Sequence, residues 1–122
     1  MTLNDFLDEW NNSKNTVEVQ TSGSTGVPKC IQVEKQRMLN SARITCDFLR
    51  LKSGDTALLC MPLDYIAGKM VVVRSIERQL RLTTVEASGH PLKNITNSFD
   101  FAAMVPMQVY NSLQVAEERE KL

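Results

Sequence analysis

The sequence predicts an α/β fold in which an N-terminal hairpin precedes a mostly parallel sheet with flanking helices. Two β-prone segments enclose a short stretch rich in serine, threonine and glycine, which is typical of a hairpin. From Glu34 onward, segments with helical spacing alternate with short apolar runs. Such runs are typical of buried parallel strands, so we expect right-handed crossovers and a single domain over residues 1–122.

The N-terminal segment predicts a short helix and then the hairpin. Asn4 is the expected cap of a helix over Asp5–Asn11. The apolar side of that helix carries Phe6, Leu7 and Trp10. Alternation over Thr16–Thr21 predicts the first strand, and Lys29–Val33 predicts the return strand. The small polar residues between the two strands cannot pack, and they predict a loop.

A longer amphipathic helix is predicted over Glu34–Leu51, because its apolar positions recur at helical spacing. These positions are Met38, Ala42, Thr45, Cys46 and Leu49. The elements predicted after it are a strand at Thr56–Met61, a helix at Ile66–Leu80, a strand at Arg81–Glu86, a loop at Ser88–Ser98, a strand at Phe99–Val105 and a helix at Gln108–Lys121. The charged end of the last helix, Glu117–Lys121, is expected to be solvated.

The composition excludes several classes of protein. The 14 lysines and arginines balance the 14 aspartates and glutamates, so the basic excess of a nucleic-acid-binding or membrane-surface protein is missing. No apolar run approaches the roughly 20 residues that span a bilayer. The acidic Met1–Trp10 does not resemble a secretory signal. We therefore expect no nucleic-acid partner and no membrane partner.

The cysteines and the histidine give no metal site. Cys30, Cys46 and Cys60 are widely spaced, and His90 is the single histidine, so a zinc site is not expected. The three thiols are expected to act as small apolar fillers, and free thiols fit a reducing cytoplasm.

The loop between the hairpin strands has the composition of an anion site. Thr21–Gly26 carries four hydroxyl side chains and two glycines. Glycines let backbone N–H groups turn toward phosphate oxygens, and hydroxyls add donors. Lys29 adds a mobile positive charge, and Pro28 stiffens the exit. The spacing differs from the P-loop pattern, and composition alone leaves open a hairpin tip without function.

The complete string, Thr21-Ser22-Gly23-Ser24-Thr25-Gly26-Val27-Pro28-Lys29, resembles the signature of the adenylate-forming superfamily, which includes acyl- and aryl-CoA ligases, luciferases and peptide-synthetase adenylation domains. The resemblance implies that this loop holds the pyrophosphate end of ATP and that Lys29 is catalytic. The implied ATP-binding residues are Thr21, Ser22, Gly23, Ser24, Thr25, Gly26 and Lys29. Cys30 stands where the family usually has glycine, and we expect only a packing effect there.

A second segment, Pro62–Gly68, occupies the place of the family's Pro-x-x-His-x-x-Gly motif. Tyr65 stands in place of the histidine. A tyrosine side chain keeps a planar ring but does not titrate near neutral pH. The resemblance implies that Tyr65 and Gly68 line the acyl substrate and the pantetheine tunnel. An ordinary strand-to-helix turn is the alternative.

Arg74 follows three valines on an otherwise apolar helix. A buried arginine is costly unless paired, and a substrate carboxylate could pair with it bidentately. The alternative is a solvated side chain beside Glu77 and Arg78. The spacing from Gly68 to Arg74, together with the later Phe101–Pro106, resembles the O-succinylbenzoate–CoA ligases of menaquinone biosynthesis, in which that arginine lies near the succinyl carboxylate.

The resemblance covers the opening part of the family's pattern and lacks its later Tyr-Gly-x-Thr-Glu segment, ribose-binding aspartate, hinge and catalytic lysine. We therefore expect an N-terminal fragment of an AMP-binding ligase domain, inactive alone, whose parent forms an acyl-adenylate and then a CoA thioester. ATP, Mg²⁺ and CoA are the implied cofactors, and a small carboxylate is the implied substrate. Another acyl- or aryl-CoA ligase and a non-catalytic binding module remain open. An exposed apolar face and self-association are also expected.

Overall fold

The computed structural model describes residues 1–21, 26–27 and 29–122. Its elements follow the predicted order of a helix, a hairpin and alternating helices and strands. They are α1 (Leu3–Trp10), β1 (Thr16–Thr21), β2 (Lys29–Glu34), α2 (Lys35–Phe48), β3 (Thr56–Leu59), α3 (Ile66–Arg78), β4 (Arg81–Thr84), β5 (Phe101–Ala102), α4 (Pro106–Leu113) and α5 (Ala116–Arg119).

The hairpin and the first helix form as predicted, except for the helix cap. β1 and β2 pair antiparallel from Thr16 opposite Glu34 to Thr21 opposite Lys29. The cap of α1 is Thr2 and the predicted cap Asn4 was wrong, because Thr2 and Asp5 exchange side-chain and backbone bonds in a capping box that Asn4 cannot form from inside the helix.

The second sheet is parallel, as predicted, with β3 between β4 and β5. β3 is buried along most of its length, which explains its unbroken apolar run. Asp100 ties β3 to β5, since its Oδ2 accepts bonds from the Thr56 backbone N–H at 2.8 Å and the Thr56 hydroxyl at 3.1 Å. β5 contains only Phe101–Ala102, so the strand predicted over Phe99–Val105 was too long.

The main core lies between the hairpin, α1, α2, α3 and the parallel sheet. It contains apolar side chains from all of these elements, among them Phe6, Val17, Val19, Met38, Ala42, Leu59, Val71, Val72 and Val73. The face predicted for α2 is confirmed at Met38, Ala42 and Cys46. Leu49 was wrongly assigned to that face: α2 ends at Phe48, and Leu49 is exposed.

The predicted last helix is broken, and its charged end is not uniformly solvated. α4 and α5 are separate helices, and Glu118 of α5 is buried. The carboxylate of Glu118 meets His90 Nδ1 at 2.9 Å. Solvation was therefore the wrong expectation for Glu118, because a partner from the preceding loop covers it.

Within the described ranges, no helix has the length and apolar character required to cross a membrane.

Candidate functional site

The hairpin brings together the two ends of the predicted phosphate loop. Thr21 and Lys29 are register partners at the loop end of β1 and β2. Lys29 is exposed, and Gly26 has a φ of +82° with nothing within 4 Å of a Cβ built upon it. This backbone conformation is one that L side chains rarely adopt, which accounts for glycine at that position. The other predicted loop residues, Ser22, Gly23, Ser24 and Thr25, and the adjoining Pro28, lie outside the described residues.

Tyr65 lies beside this end of the hairpin. Tyr65 forms a parallel β-bridge with Gln20, the residue before Thr21, and it is also the N-cap residue of α3. Its side chain is partly exposed. The two motifs that the sequence separates by a helix and a strand therefore meet at one edge of the molecule.

Gly68 is explained by a close approach of backbones. A Cβ built on it would lie 2.1 Å from the Pro62 carbonyl oxygen, far inside van der Waals contact. Any larger residue would push the first turn of α3 away from the Pro62–Tyr65 turn. The structure thus assigns Gly68 a packing role in holding that turn, and its predicted role at the substrate stays a prediction.

Lys69 is a residue to which the sequence motifs gave no role. Its side chain is only 2% exposed, its ammonium donates to the Leu63 carbonyl, and the nitrogen lies 5.5 Å from the centre of the Phe6 ring. Desolvation lowers the pKa of Lys69, while the carboxylates of Glu9, Asp64 and Glu18 oppose that shift. The available sequence signal was a lysine inside an apolar helical run, the same signal that singled out Arg74.

Arg74 is half-buried, as Glu77 and Arg78 are, but its side chain faces a different partner. Its guanidinium carbon is 5.7 Å from the centre of the Phe101 ring, whereas Glu77 bonds to Arg78 instead. Arg74 Nε is buried and has no hydrogen-bond partner among the described residues. Burial lowers the pKa of the guanidinium, and Cys46 opposes the shift. The side chain is thus a half-buried cation without an ion-pair partner among the described residues.

The predicted residues fall into two groups. Thr21, Lys29, Tyr65 and Gly68 gather around the Gln20–Tyr65 bridge. Arg74 follows Tyr65 by nine residues on α3, which is about 13 Å along a helix axis. Its described contacts are with the ring of Phe101 on β5 and with Cys46 on α2, whose thiol donates to the Arg74 carbonyl.

The three thiols differ in burial. Cys46 and Cys60 are buried, as fillers would be, but Cys30 is exposed on β2, a strand that is exposed along most of its length. Its expected role as a filler was therefore wrong. In the part of the chain that the structure describes, no group of acidic, histidine or cysteine side chains has the arrangement of a metal site.

A second cluster, also missed, fastens the loop after β4 to the C-terminal helices. Gln108 Nε2 donates to the carbonyls of Cys60 and Ser88, both at 2.9 Å. His90 contacts Glu118, and Lys121 donates to Leu92. A cavity of about 560 Å³ adjoins this loop, lined by Val85, Glu86, Ser88, Gly89, His90, Pro91, Lys93, Asn94 and Ile95.

Several known proteins resemble the chain, although no family model matches it. The chain is 30% identical over 93 residues to 2-succinylbenzoate–CoA ligase of Escherichia coli (strain K12). The aligned region covers 76% of the chain and 20% of that protein. It is 35% identical over 54 residues to 2-succinylbenzoate–CoA ligase of Haemophilus influenzae (strain ATCC 51907 / DSM 11121 / KW20 / Rd), covering 44% of the chain and 12% of that protein.

A solved structure extends the similarity to nearly the whole chain. The acyl-CoA synthetase (AMP-forming)/AMP-acid ligase II-like protein from Dyadobacter fermentans DSM 18053 superimposes with a TM-score of 0.88 at 38% identity, covering 96% of this chain and 34% of that one. The chain spans about a fifth of the E. coli relative and about a third of the solved chain. Sequence and fold thus agree with the loop signature, and the chain belongs to the adenylate-forming superfamily.

Proposed function

We propose that the protein carrying this chain is an AMP-forming acid–CoA ligase and that the chain supplies its phosphate-binding loop. The observation that supports the proposal best is the Gln20–Tyr65 bridge, which joins the start of the loop to the turn that carries Tyr65. A ligase of this kind must hold the phosphates of ATP beside the acid that attacks them.

In the proposed reaction, a carboxylate oxygen attacks the α-phosphorus of ATP, and the bond to the bridging oxygen of pyrophosphate breaks. The thiol of CoA then attacks the carbonyl carbon of the acyl-adenylate, and AMP leaves with the electron pair of the broken acyl bond. Lys29 and the loop from Thr21 to Gly26 would stabilise the charge on the β- and γ-phosphates. Mg²⁺ bound with ATP would neutralise further charge on the phosphates. The described residues contain no cluster of side chains arranged to bind this ion.

The acid that we propose is o-succinylbenzoate, which would place the protein in menaquinone biosynthesis in the cytoplasm. Arg74 supports this choice, because a half-buried guanidinium with an orphan Nε is suited to bind a carboxylate. Tyr65 and Gly68 would line the acyl side of the site. The names of the similar curated ligases agree with the same acid.

ATP–pyrophosphate exchange, measured on the protein as its gene encodes it, tests the proposal. We expect exchange that depends on o-succinylbenzoate and is absent with a plain fatty acid or an unsubstituted aryl acid. If exchange occurred only with a fatty acid or an aryl acid, that acid would be the substrate and o-succinylbenzoate would be excluded. Failure of every acid, despite binding of MgATP, would favour a non-catalytic binding module.

Lys29→Ala tests the role of the loop in the same assay. Because the Lys29 ammonium would stabilise the negative charge that develops on the departing pyrophosphate, we expect the rate of ATP–pyrophosphate exchange to fall by about 10²- to 10³-fold. Lys14→Ala, an exposed lysine before β1, is the matched control and should leave exchange unchanged. If Lys29→Ala slowed only transfer to CoA, the assignment of Lys29 to the pyrophosphate end would be wrong.

A further inference from the structure

Lys69 lies where three segments of the chain meet, beside the proposed ATP site. A cleft of about 300 Å³ opens next to it, lined by Met1, Glu9, Glu18, Gln20, Asp64 and Lys69. Glu18 and Gln20 belong to β1, Glu9 to α1 and Asp64 to the turn before α3. A single buried ammonium therefore shares a cleft with carboxylates from all three segments.

The ammonium also holds the turn directly. Lys69 Nζ donates to the Leu63 carbonyl, a bond buried from solvent. A neutral hydrogen bond would satisfy this carbonyl equally, so the cost of burying a charge calls for another reason. The carboxylates around the cleft supply that reason, since they attract the ammonium from β1 and α1 as well as from the turn.

Gly68 and Lys69 act on neighbouring carbonyls of the same turn. Gly68 lets the Pro62 carbonyl approach the helix, and Lys69 binds the carbonyl of Leu63. Two residues later the turn reaches Tyr65, whose backbone bridges Gln20. The position of Tyr65 relative to the start of the phosphate loop therefore depends on how rigidly this turn is held.

We propose that Lys69 is a positioning residue that locks the Leu63–Tyr65 turn against the end of β1 and thereby sets the entry of the phosphate loop. The expected effect of Lys69 on ATP binding rests on the proposed function. Lys69 has 2% of its surface exposed, so it acts on the loop through the turn and not by direct contact with a ligand.

Lys69→Met tests the proposal on the full chain, since methionine nearly conserves the length of the side chain and removes its N–H donors and charge. Ser75→Ala is the matched control, because Ser75 is also buried on α3 and donates at 2.9 Å to Val71 within its own helix, away from the turn. Hydrogen–deuterium exchange is followed in peptides covering residues 16–21 and 62–68, and MgATP binding is measured by calorimetry.

We expect exchange in both peptides to rise about tenfold in Lys69→Met and not in Ser75→Ala, with MgATP binding weakened about tenfold only in the former. Equal exchange in the two variants, or unchanged exchange in Lys69→Met, would overturn the proposal. If the unaltered chain binds no MgATP, the proposed ATP role fails, whereas the exchange data still decide the role of Lys69. Should Lys69→Met not fold, Lys69→Gln, which retains an N–H donor on a shorter side chain, is measured by the same criteria.

Discussion

At the scale of single residues, α3 carries one buried cation, Lys69, and one half-buried cation, Arg74, and their surroundings differ. Lys69 has a carbonyl acceptor, an aromatic face and three carboxylates nearby. Arg74 has the Phe101 ring but no carboxylate within reach among the described residues, and its Nε lacks an acceptor. Because the protein satisfies Lys69 internally, that residue has a structural task. Arg74 is the cation that we propose pairs with the carboxylate of the substrate.

Arg74→Lys tests this difference in the protein as its gene encodes it. Lysine keeps the charge but loses the bidentate fork, so we expect the KM for o-succinylbenzoate to rise about tenfold or more, while the KM for ATP is unchanged. Steady-state exchange kinetics give both constants. Arg43→Lys, on the exposed side of α2, is the control for a change of cation alone. An unchanged KM for the acid would remove Arg74 from the substrate site.

At the scale of elements, the join between β3 and β5 depends on Asp100. Two hydrogen bonds from Thr56 hold the pKa of the Asp100 carboxyl below its ordinary value of 3.8. The bond from the backbone N–H has the larger effect, and the bond from the hydroxyl has the smaller one. A lowered pKa in the folded state means that the ionised form favours folding. The stabilisation is therefore present above pH 3.8 and disappears as the pH falls through the lowered value.

Asp100→Asn should lower the Tm at pH 7, since it removes the charged acceptor while keeping the shape of the side chain. The difference from the unaltered chain should shrink as the pH falls from 3.8 through the lowered pKa, at which the carboxyl of the folded chain becomes neutral. Thermal unfolding followed by circular dichroism between pH 7 and pH 2 measures this. Asp8→Asn, on the exposed side of α1, should show no such dependence. A constant difference across this range would exclude a charge-dependent bond.

At the scale of the whole molecule, the surface around α4 exposes several large apolar side chains. Val105, Met107, Tyr110, Leu113 and Val115 are all exposed, with Met107 at 65% and Tyr110 at 64%. A second exposed pair, Ile44 and Phe48, lies one turn apart on α2. Contiguous apolar surface of this kind favours association.

We propose that the isolated chain self-associates through the α4 surface, and we expect its sedimentation coefficient to rise with concentration. Met107→Ser with Tyr110→Ser should abolish the rise. Ile44→Ser with Phe48→Ser removes two exposed apolar side chains from another helix and serves as the control. If only the α2 variant became monomeric, the association surface would be α2, and if the unaltered chain stayed monomeric at all concentrations, the proposal would be wrong.

The sequence by itself determined the features that depend on neighbouring residues. The period of two around the hydroxyl- and glycine-rich string identified the hairpin, and the alternation of helical and apolar segments identified the parallel sheet. The order of residues in Thr21–Lys29 identified the family. Element ends were less accurate, because side-chain bonds such as the Thr2–Asp5 capping box decide them and several residues nearby could serve.

Only the tertiary structure decided which distant residues meet. The Gln20–Tyr65 bridge, the burial of Lys69 under α1 and the pairing of Glu118 with His90 each join segments that lie far apart in the sequence. Local patterns carry no information on such contacts, because a lysine or glutamate has the same intrinsic preference for solvent wherever it occurs. Its burial becomes favourable only when packing brings an acceptor or an opposite charge within reach.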